Sequence, residues 1–465
     1  MSAGSCQIAF YGDDFTGSTD ALECLTRAGL DPILFLEAPT PERWKAFAGR
    51  DAFGVAGLTR SLPPDPMAGE LTPAFERIRA IGPRHLHYKV CSTFDSSPEI
   101  GNIARAIAVG RAIFENPVTP VVPPVPHLGR YCAFGNLFAR QAIKDRADIH
   151  RLDRHPSMRD HPTTPAHEAD LRLHLAAQGT FTMGLFDLLD LARPAAHRKE
   201  RVRRFRTDGT EVLFFDGLYP EHMPRIGEAL DVLAEDQATL FSVGSSGVDT
   251  ALGEHWAATD QVIPRTDWQP LKPAGTVLVL AGSVSPVTAR QIETARAAGF
   301  VDVPVAPDVL EDPDRRDARI AESADRVARA LKGGRSVLVH TCEGPSDERL
   351  QACRRILAGQ GLDQAGIRGA TATRFGEVLG RIGRDALGTA DAGRLIVAGG
   401  DTSSRVARHL GVEAVEMTTP LYPGAPLCRA LAPDSPVDGM ELNFKGGQVG
   451  DDLYFAALLA GKRPS

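Results

Sequence analysis

Two adjacent aspartates, Asp13 and Asp14, follow an apolar run in "FYGDDFTGSTDALE" (10–23) and lead straight into Thr16, Gly17, Ser18 and Thr19. A helix start needs one side-chain acceptor for its free N–H groups. Capping near Thr16–Asp20 therefore accounts for one carboxylate and leaves the other unexplained. A carboxylate pair can orient substrate hydroxyls, bind a metal or accept a proton. Phosphoryl transfer to an alcohol asks for such a group beside the hydroxyl proton, with cations set against the phosphoryl charge. "LTRS" (58–61) supplies Arg60, and "YKVCSTFDSS" (88–97) supplies Lys89, Ser92 and Thr93. Lys89 lies in the apolar context "LHYKVC", unlike the usual solvated lysine. Together these residues suit a ligand with a carboxylate and several hydroxyls.

The second half carries two loops that look like phosphate cradles. "LAGSVSPVTARQ" ends a strand at Gly282 and presents Ser283 and Ser285 before a helix. "IVAGGDTSSRVARHLG" ends one at Gly399 and Gly400, followed by Asp401, Thr402 and Ser403. Glycine lets backbone N–H groups approach an oxyanion, and a helix N-terminus adds free donors and the positive end of its dipole. Ordinary helix capping is the competing reading of each loop. Neither contains GxxxxGK[ST], and no GxGxxG follows a strand. "NFKGGQVGDDLYF" (443–455) adds Lys445 with Gly446 and Gly447, which suits a flexible loop over a nucleotide. The histidines at 155, 161 and 167 recur every six residues, matching no helical metal pair, so no metal site is expected. The seven cysteines form no CxxC pair and read as reduced thiols. Cys91 lacks the His/Asp spacing of a catalytic nucleophile.

These residues need elements to hold them. "QIAFYG" (7–12), "PILFLEA" (32–38), "AFGVAGLTRS" (52–61) and "HLHYKVCSTFDS" (85–96) read as strands, with helices over "DALECLTRAGL" (20–30) and "GELTPAFERIRAIG" (69–82). Such alternation predicts a mostly parallel α/β sheet, whose ligands sit at the carboxyl ends of strands. The clusters at 13–20, 59–61 and 89–96 fall at that edge. Residues 120–200 are proline-rich and less regular, and are expected to form an ordered excursion or lid rather than a strand–helix pair. "VIPRTDWQPLKPAG" (262–275) reads as a linker, beyond which the strand–loop–helix rhythm restarts. With 465 residues, the chain is expected to fold as two α/β domains, 1–265 and 266–465. Each would be a mostly parallel sheet flanked by helices, with the active site in the cleft between them. A net charge of −7 speaks against nucleic acid or an anionic membrane as partner. No basic-then-apolar N-terminus and no apolar run near ~18 residues is present, so a soluble cytoplasmic protein is expected.

In order along nearly the whole chain, these motifs resemble the four-carbon acid sugar kinases. The resemblance is carried by "YGDDFTGSTD", "GLTRS", "YKVCSTFDSSPEIGN", "RHPSMRDHPTTP", "AGSVSPVTARQ", "AGGDTSS" and "FKGGQVGDD". It implies an ATP-dependent kinase, with Mg²⁺ on the nucleotide, acting on a small acid sugar in carbohydrate metabolism. The first domain would hold the sugar and the second the nucleotide. Asp13 and Asp14 would be the catalytic pair, with Thr16, Gly17, Arg60, Ser61, Lys89, Ser92 and Thr93 on the substrate side. Ser283, Ser285, Gly399, Gly400, Asp401, Thr402, Lys445, Gly446 and Gly447 would hold ATP or ADP. A homodimer is left open. Two departures bear on the substrate: Cys91 stands where the family usually has Asp, and Phe94–Asp95–Ser96 where Leu–Arg–Gly is common. They leave room for a branched or keto acid such as 3-oxo-isoapionate, with Asp95 replacing the missing carboxylate. A nicotinamide-dependent dehydrogenase is disfavoured by the missing GxGxxG. A non-enzymatic sugar-acid sensor would not need the second glycine-rich domain.

Overall fold

The computed structural model describes residues 6–143, 146–161 and 163–464, with the side chains of 142, 143, 146, 365 and 401 outside the description. The chain divides into two units, Met1–Thr266 and Asp267–Ser465.

In the first unit the strands are β1 (Ile8–Gly12), β2 (Pro32–Phe35), β3 (Ala52–Ala56), β4 (His85–Lys89), β5 (Thr119–Val122), β6 (Arg130–Ala133), β7 (Asn136–Ile143), β8 (Arg146–Arg151), β9 (Met183–Phe186), β10 (Val212–Phe215) and β11 (Leu240–Gly244). Every residue of β1, β3 and β4 is buried, as expected for strands covered by helices on both faces. The main sheet of this unit runs β2-β3-β1-β4-β11-β5-β10-β9, all parallel. Phe75, on the helix Pro64–Ile81, packs against Tyr11, Tyr88, Phe114 and Phe241 beneath it.

The first helix, Phe15–Ala28, begins five residues before the stretch read as helical. Asp14 is its N-cap, accepting from the Gly17 N–H at 2.7 Å, so capping consumes one oxygen of the aspartate pair. The excursion at 120–200 departs further from expectation. It contains the strands β5 and β9, the helix Ala195–Phe205, and a separate antiparallel sheet, β6-β7-β8. The pleat puts Arg130, Ala139 and His150 in one row across that sheet, and Cys132 and Leu137 in the next. Cys132, Leu137 and Ala139 are buried, whereas Ile149, one position along from His150, is exposed. The inner face thus mixes these apolar residues with Arg130, Gln141 and His150, which blurs the alternation by which a half-buried strand is recognised.

In the second unit the strands are β12 (Val277–Ala281), β13 (Val301–Pro304), β14 (Val337–His340), β15 (Arg394–Ala398), β16 (Ala414–Tyr422), β17 (Ala425–Leu431) and β18 (Glu441–Lys445). They run β13-β14-β12-β15-β18-β17-β16, parallel as far as β18, with β17 antiparallel to both neighbours. Val277, Val279, Ile292, Leu338, Ile396, Tyr454 and Phe455 form part of its core. The orders β2-β3-β1-β4 and β13-β14-β12-β15 are the same winding. In each, the chain turns back past its first strand, making a switch point at that strand's carboxyl end. Asp13 sits at one switch point and Gly282 at the other.

Candidate functional site

In the first unit, register brings the loops together. Gly12 lies opposite both Ala56 and Lys89, so β1, β3 and β4 end level. The loops then bond to one another: Asp13 N–H donates to Lys89 O at 2.8 Å, and Arg60 N–H to Asp13 O at 3.0 Å. The Arg60 guanidinium grips both aspartates. Its Nε and Nη2 donate to Asp13 Oδ2 and Oδ1 at 2.9 and 2.6 Å, and Nη1 donates to Asp14 Oδ2 at 2.7 Å. Thr16 Oγ1 donates to that same Asp14 oxygen at 3.2 Å. The Lys89 ammonium donates to Val90 O at 3.1 Å and stands 3.9 Å from Asp20 Oδ2. A Cβ on Gly17 would lie 2.6 Å from Asp14 Oδ1 and 2.8 Å from Lys89 Nζ, so any larger residue there displaces one of those side-chain ends.

Burial raises the pKa of Asp13, and the opposing charge of Arg60 pulls it back only in part. Burial also works against the charge of Arg60, yet Asp13 and Asp14 hold its pKa well above the ordinary value. Asp14 leaves 18% of its side chain exposed against 5% for Asp13, so it is the more accessible carboxylate of the pair.

The loop after β4 forms a second cluster. Thr93 is buried; its Oγ1 donates to Asp95 Oδ1 at 2.7 Å and lies 3.0 Å from Cys91 Sγ. Burial, helped by Asp95, pushes the Cys91 thiol up to about 11, which makes it a packing and hydrogen-bonding group, not a nucleophile. Ser61 is exposed and turns back to Leu58 O, and Ser92 makes no hydrogen bond to these groups. Asp20 was not among the expected site residues. It lies inside the opening motif, and only the fold brings it near Lys89.

In the second unit three loops converge. A Cβ on Gly282 would lie 2.4 Å from Thr402 Oγ1, one on Gly399 2.9 Å from it, and one on Gly447 2.2 Å from Ser283 Oγ. Gly399 also adopts φ 128°, a conformation that favours glycine. Ser285 caps the helix Pro286–Ala297, whereas Gly400–His409 begins with no side-chain cap. The side chain of Asp401, in that first turn, lies outside the described residues. Lys445 is the last residue of β18 and fully buried, not part of a flexible loop. Its ammonium reaches Thr288 Oγ1 at 3.4 Å and lies 5.5 and 5.9 Å from the rings of Tyr454 and Phe455. The Thr288 hydroxyl in turn donates to Gly447 O at 2.8 Å. With no carboxylate partner among the described residues, burial alone drops the Lys445 pKa from 10.5 to about 7. A buried lysine, close-packed glycines and an uncapped helix start suit a polyphosphate. Thr288 was missed because a threonine one turn into a helix is an ordinary residue in sequence.

Residues 8–252 match a family model described as a sugar-binding N-terminal domain, and residues 278–455 one described as a nucleotide-binding C-terminal domain. A 3-oxo-isoapionate kinase from Paraburkholderia graminis is 39% identical over 98% of this chain and 94% of its own. A 3-oxo-tetronate kinase from Methylobacterium radiotolerans is 30% identical over 98% of this chain and 99% of its own. A Salmonella typhimurium crystal structure, described as a putative tRNA synthase, superposes with a TM-score of 0.72 at 25% identity, covering 97% of this chain and 98% of that one. Among the described residues no helix is long and apolar enough to cross a membrane.

Proposed function

This chain belongs to the four-carbon acid sugar kinase family, and from that premise we propose that it transfers a phosphoryl group from ATP to a hydroxyl of a small acid sugar. The observation that carries the reading is Lys445, buried without a counter-charge inside a glycine cradle, on a chain that also gathers Asp13, Asp14, Arg60 and Lys89 at a strand edge. Residues 1–265 take the sugar and residues 266–465 the nucleotide. Asp14 lies beside the acceptor hydroxyl and orients it or accepts its proton, while Asp13, gripped on both oxygens by Arg60, keeps the guanidinium in place. Thr16 and Gly17 complete that corner, and Lys89 faces the acceptor. Ser283, Ser285, Gly399 through Thr402, and Lys445 through Gly447 hold the phosphates.

ATP, when bound, supplies the phosphoryl group, with Mg²⁺ neutralising its charge. Among the described residues no group of three or more His, Cys, Asp or Glu is placed to hold a metal. Mg²⁺ arriving on the nucleotide fits this site, because it commonly leans on substrate phosphates and keeps its waters. The 39% identity to a 3-oxo-isoapionate kinase, against 30% to a 3-oxo-tetronate kinase, favours a branched keto acid as acceptor. A coupled ADP-release screen over tetronates, 3-oxo-tetronates and branched 3-oxo acids tests this. The highest kcat/KM is expected on a branched acid; a tetronate optimum rejects the finer reading, and no turnover on any acid rejects the broader one.

Gly17 offers a more local test. Adding a Cβ pushes Asp14 or Lys89 aside, so Gly17→Ala is expected to lower kcat/KM by about 100-fold, the scale of a 1 Å misplacement. Its ADP-induced rise in melting temperature should be unchanged. Near-normal turnover would show that this corner is not used.

A further inference from the structure

An acid sugar brings a carboxylate that needs a cation, and Arg60 is already committed. It donates through Nε, Nη1 and Nη2 to Asp13 and Asp14, while Lys89 is shared between Val90 O and Asp20. Two cations, Arg60 and Lys89, face three carboxylates, Asp13, Asp14 and Asp20, which leaves this corner without surplus positive charge.

The inner face of the small sheet holds an arginine in the opposite condition. Arg130 Nη1 donates to Leu128 O at 2.8 Å, with Arg140 O at 3.4 Å, which fixes the guanidinium plane. Its Nε is out of solvent with no partner, and no carboxylate is in ion-pair contact with it among the described residues. Burial lowers its pKa, while Cys91 and Asp95 are close enough to act on its charge. The same face carries two more orphans, His150 Nε2 and Gln141 Oε1. His155, whose ring stands 5.8 Å from that of His150, is buried. Its Nδ1 accepts from the N–H groups of Ser157 and Met158 at 3.2 and 3.3 Å. That sets the tautomer with the proton on Nε2, a donor with no hydrogen-bond partner among the described residues.

We propose that Arg130 binds the carboxylate of the acid sugar through its free Nε–Nη2 edge, with His155 Nε2–H as a second donor, beside the loop 91–95. An arginine edge with two parallel donors matches a carboxylate, and pairing relieves the cost of a desolvated, unpartnered guanidinium. The polar residues among the apolar ones on the inner face of β6-β7-β8 then have a cause: Arg130, Gln141 and His150 face inward because the ligand is there. The exposed carboxylate-free side of the substrate is left to Asp14 and Lys89.

The inference rests on the kinase reading, and its test separates the two. Wild type, Arg130→Gln and Arg130→Lys are assayed on the best acid from the screen and on its primary amide, which lacks the charge. Arg130→Gln is expected to raise KM for the acid roughly 10- to 100-fold, with KM for the amide, KM for ATP and the ADP-induced thermal shift unchanged. Arg130→Lys keeps charge without the fork and should fall between. It carries the test if the glutamine variant does not fold. An unchanged KM for the acid, or equal losses on acid and amide, overturns the assignment while wild-type turnover leaves the kinase reading standing. No turnover by wild type on any acid sugar overturns the kinase reading itself.

Discussion

Replacing Asp14 with alanine is expected to reduce turnover by about 10³-fold, within the range that positioned proton-transfer groups supply, while ADP still binds. The difficulty is that Asp14 has two jobs. Its Oδ1 caps the helix Phe15–Ala28 and its Oδ2 holds Arg60 Nη1 and Thr16 Oγ1. Losing a cap alone costs ~1 kcal/mol of stability, which lowers the melting temperature and not the rate. Asp14→Ser separates the two roles, because serine caps as well as aspartate but has no carboxylate. Serine and alanine variants equally slow, with the serine variant regaining most of the melting temperature, is the result expected. Turnover restored by serine would leave Asp14 a helix cap and move the catalytic role to Asp13. There burial raises the carboxyl pKa, but Arg60 occupies both oxygens.

Replacing Lys445 with methionine is expected to abolish the ADP-induced thermal shift and yet stabilise the nucleotide-free protein. The folded-state pKa is about 7 against 10.5 for a free lysine. Folding therefore disfavours the charged form, and the cost, on the order of a few kcal/mol, is fully present below pH 7. It is relieved between about pH 7 and 10.5, where the unfolded chain holds the proton that the folded chain has released. The melting-temperature gain of Lys445→Met should accordingly be largest near pH 6.5 and shrink toward pH 10. Nucleotide phosphates restore the proton, so wild type should take up protons on binding ADP at pH 8. Calorimetry in two buffers of different ionisation enthalpy reads that uptake, and the methionine variant should lack it. A variant that is less stable at both pH values and still shifted by ADP would remove Lys445 from the phosphate site.

Part of this was legible in the chain itself. Apolar runs such as "IAFYG" and "VLVLA" mark strands buried on both faces because a parallel sheet has helices on each side. Small and acidic residues placed directly after those runs therefore had to emerge at the carboxyl edge. That is enough to place Asp13, Asp14, Ser283, Gly399 and Thr402 at that edge, while Lys89 is singled out by its apolar strand context. Other features depended on contacts distant in sequence. Gly17 is tightly enclosed only because Asp14 and Lys89 close over it. Lys445 stands out only because β18 buries it with no carboxylate partner among the described residues. Arg130 and His150 share a face only because β7 lies between their strands, a pairing hidden by proline-rich flanks and by polar residues turned inward. The sequence by itself determined which side chains leave each strand and at which edge. Tertiary structure decided which charges are spent on one another and which are left for a ligand, because pairing and desolvation depend on neighbours that the chain brings together only when it folds.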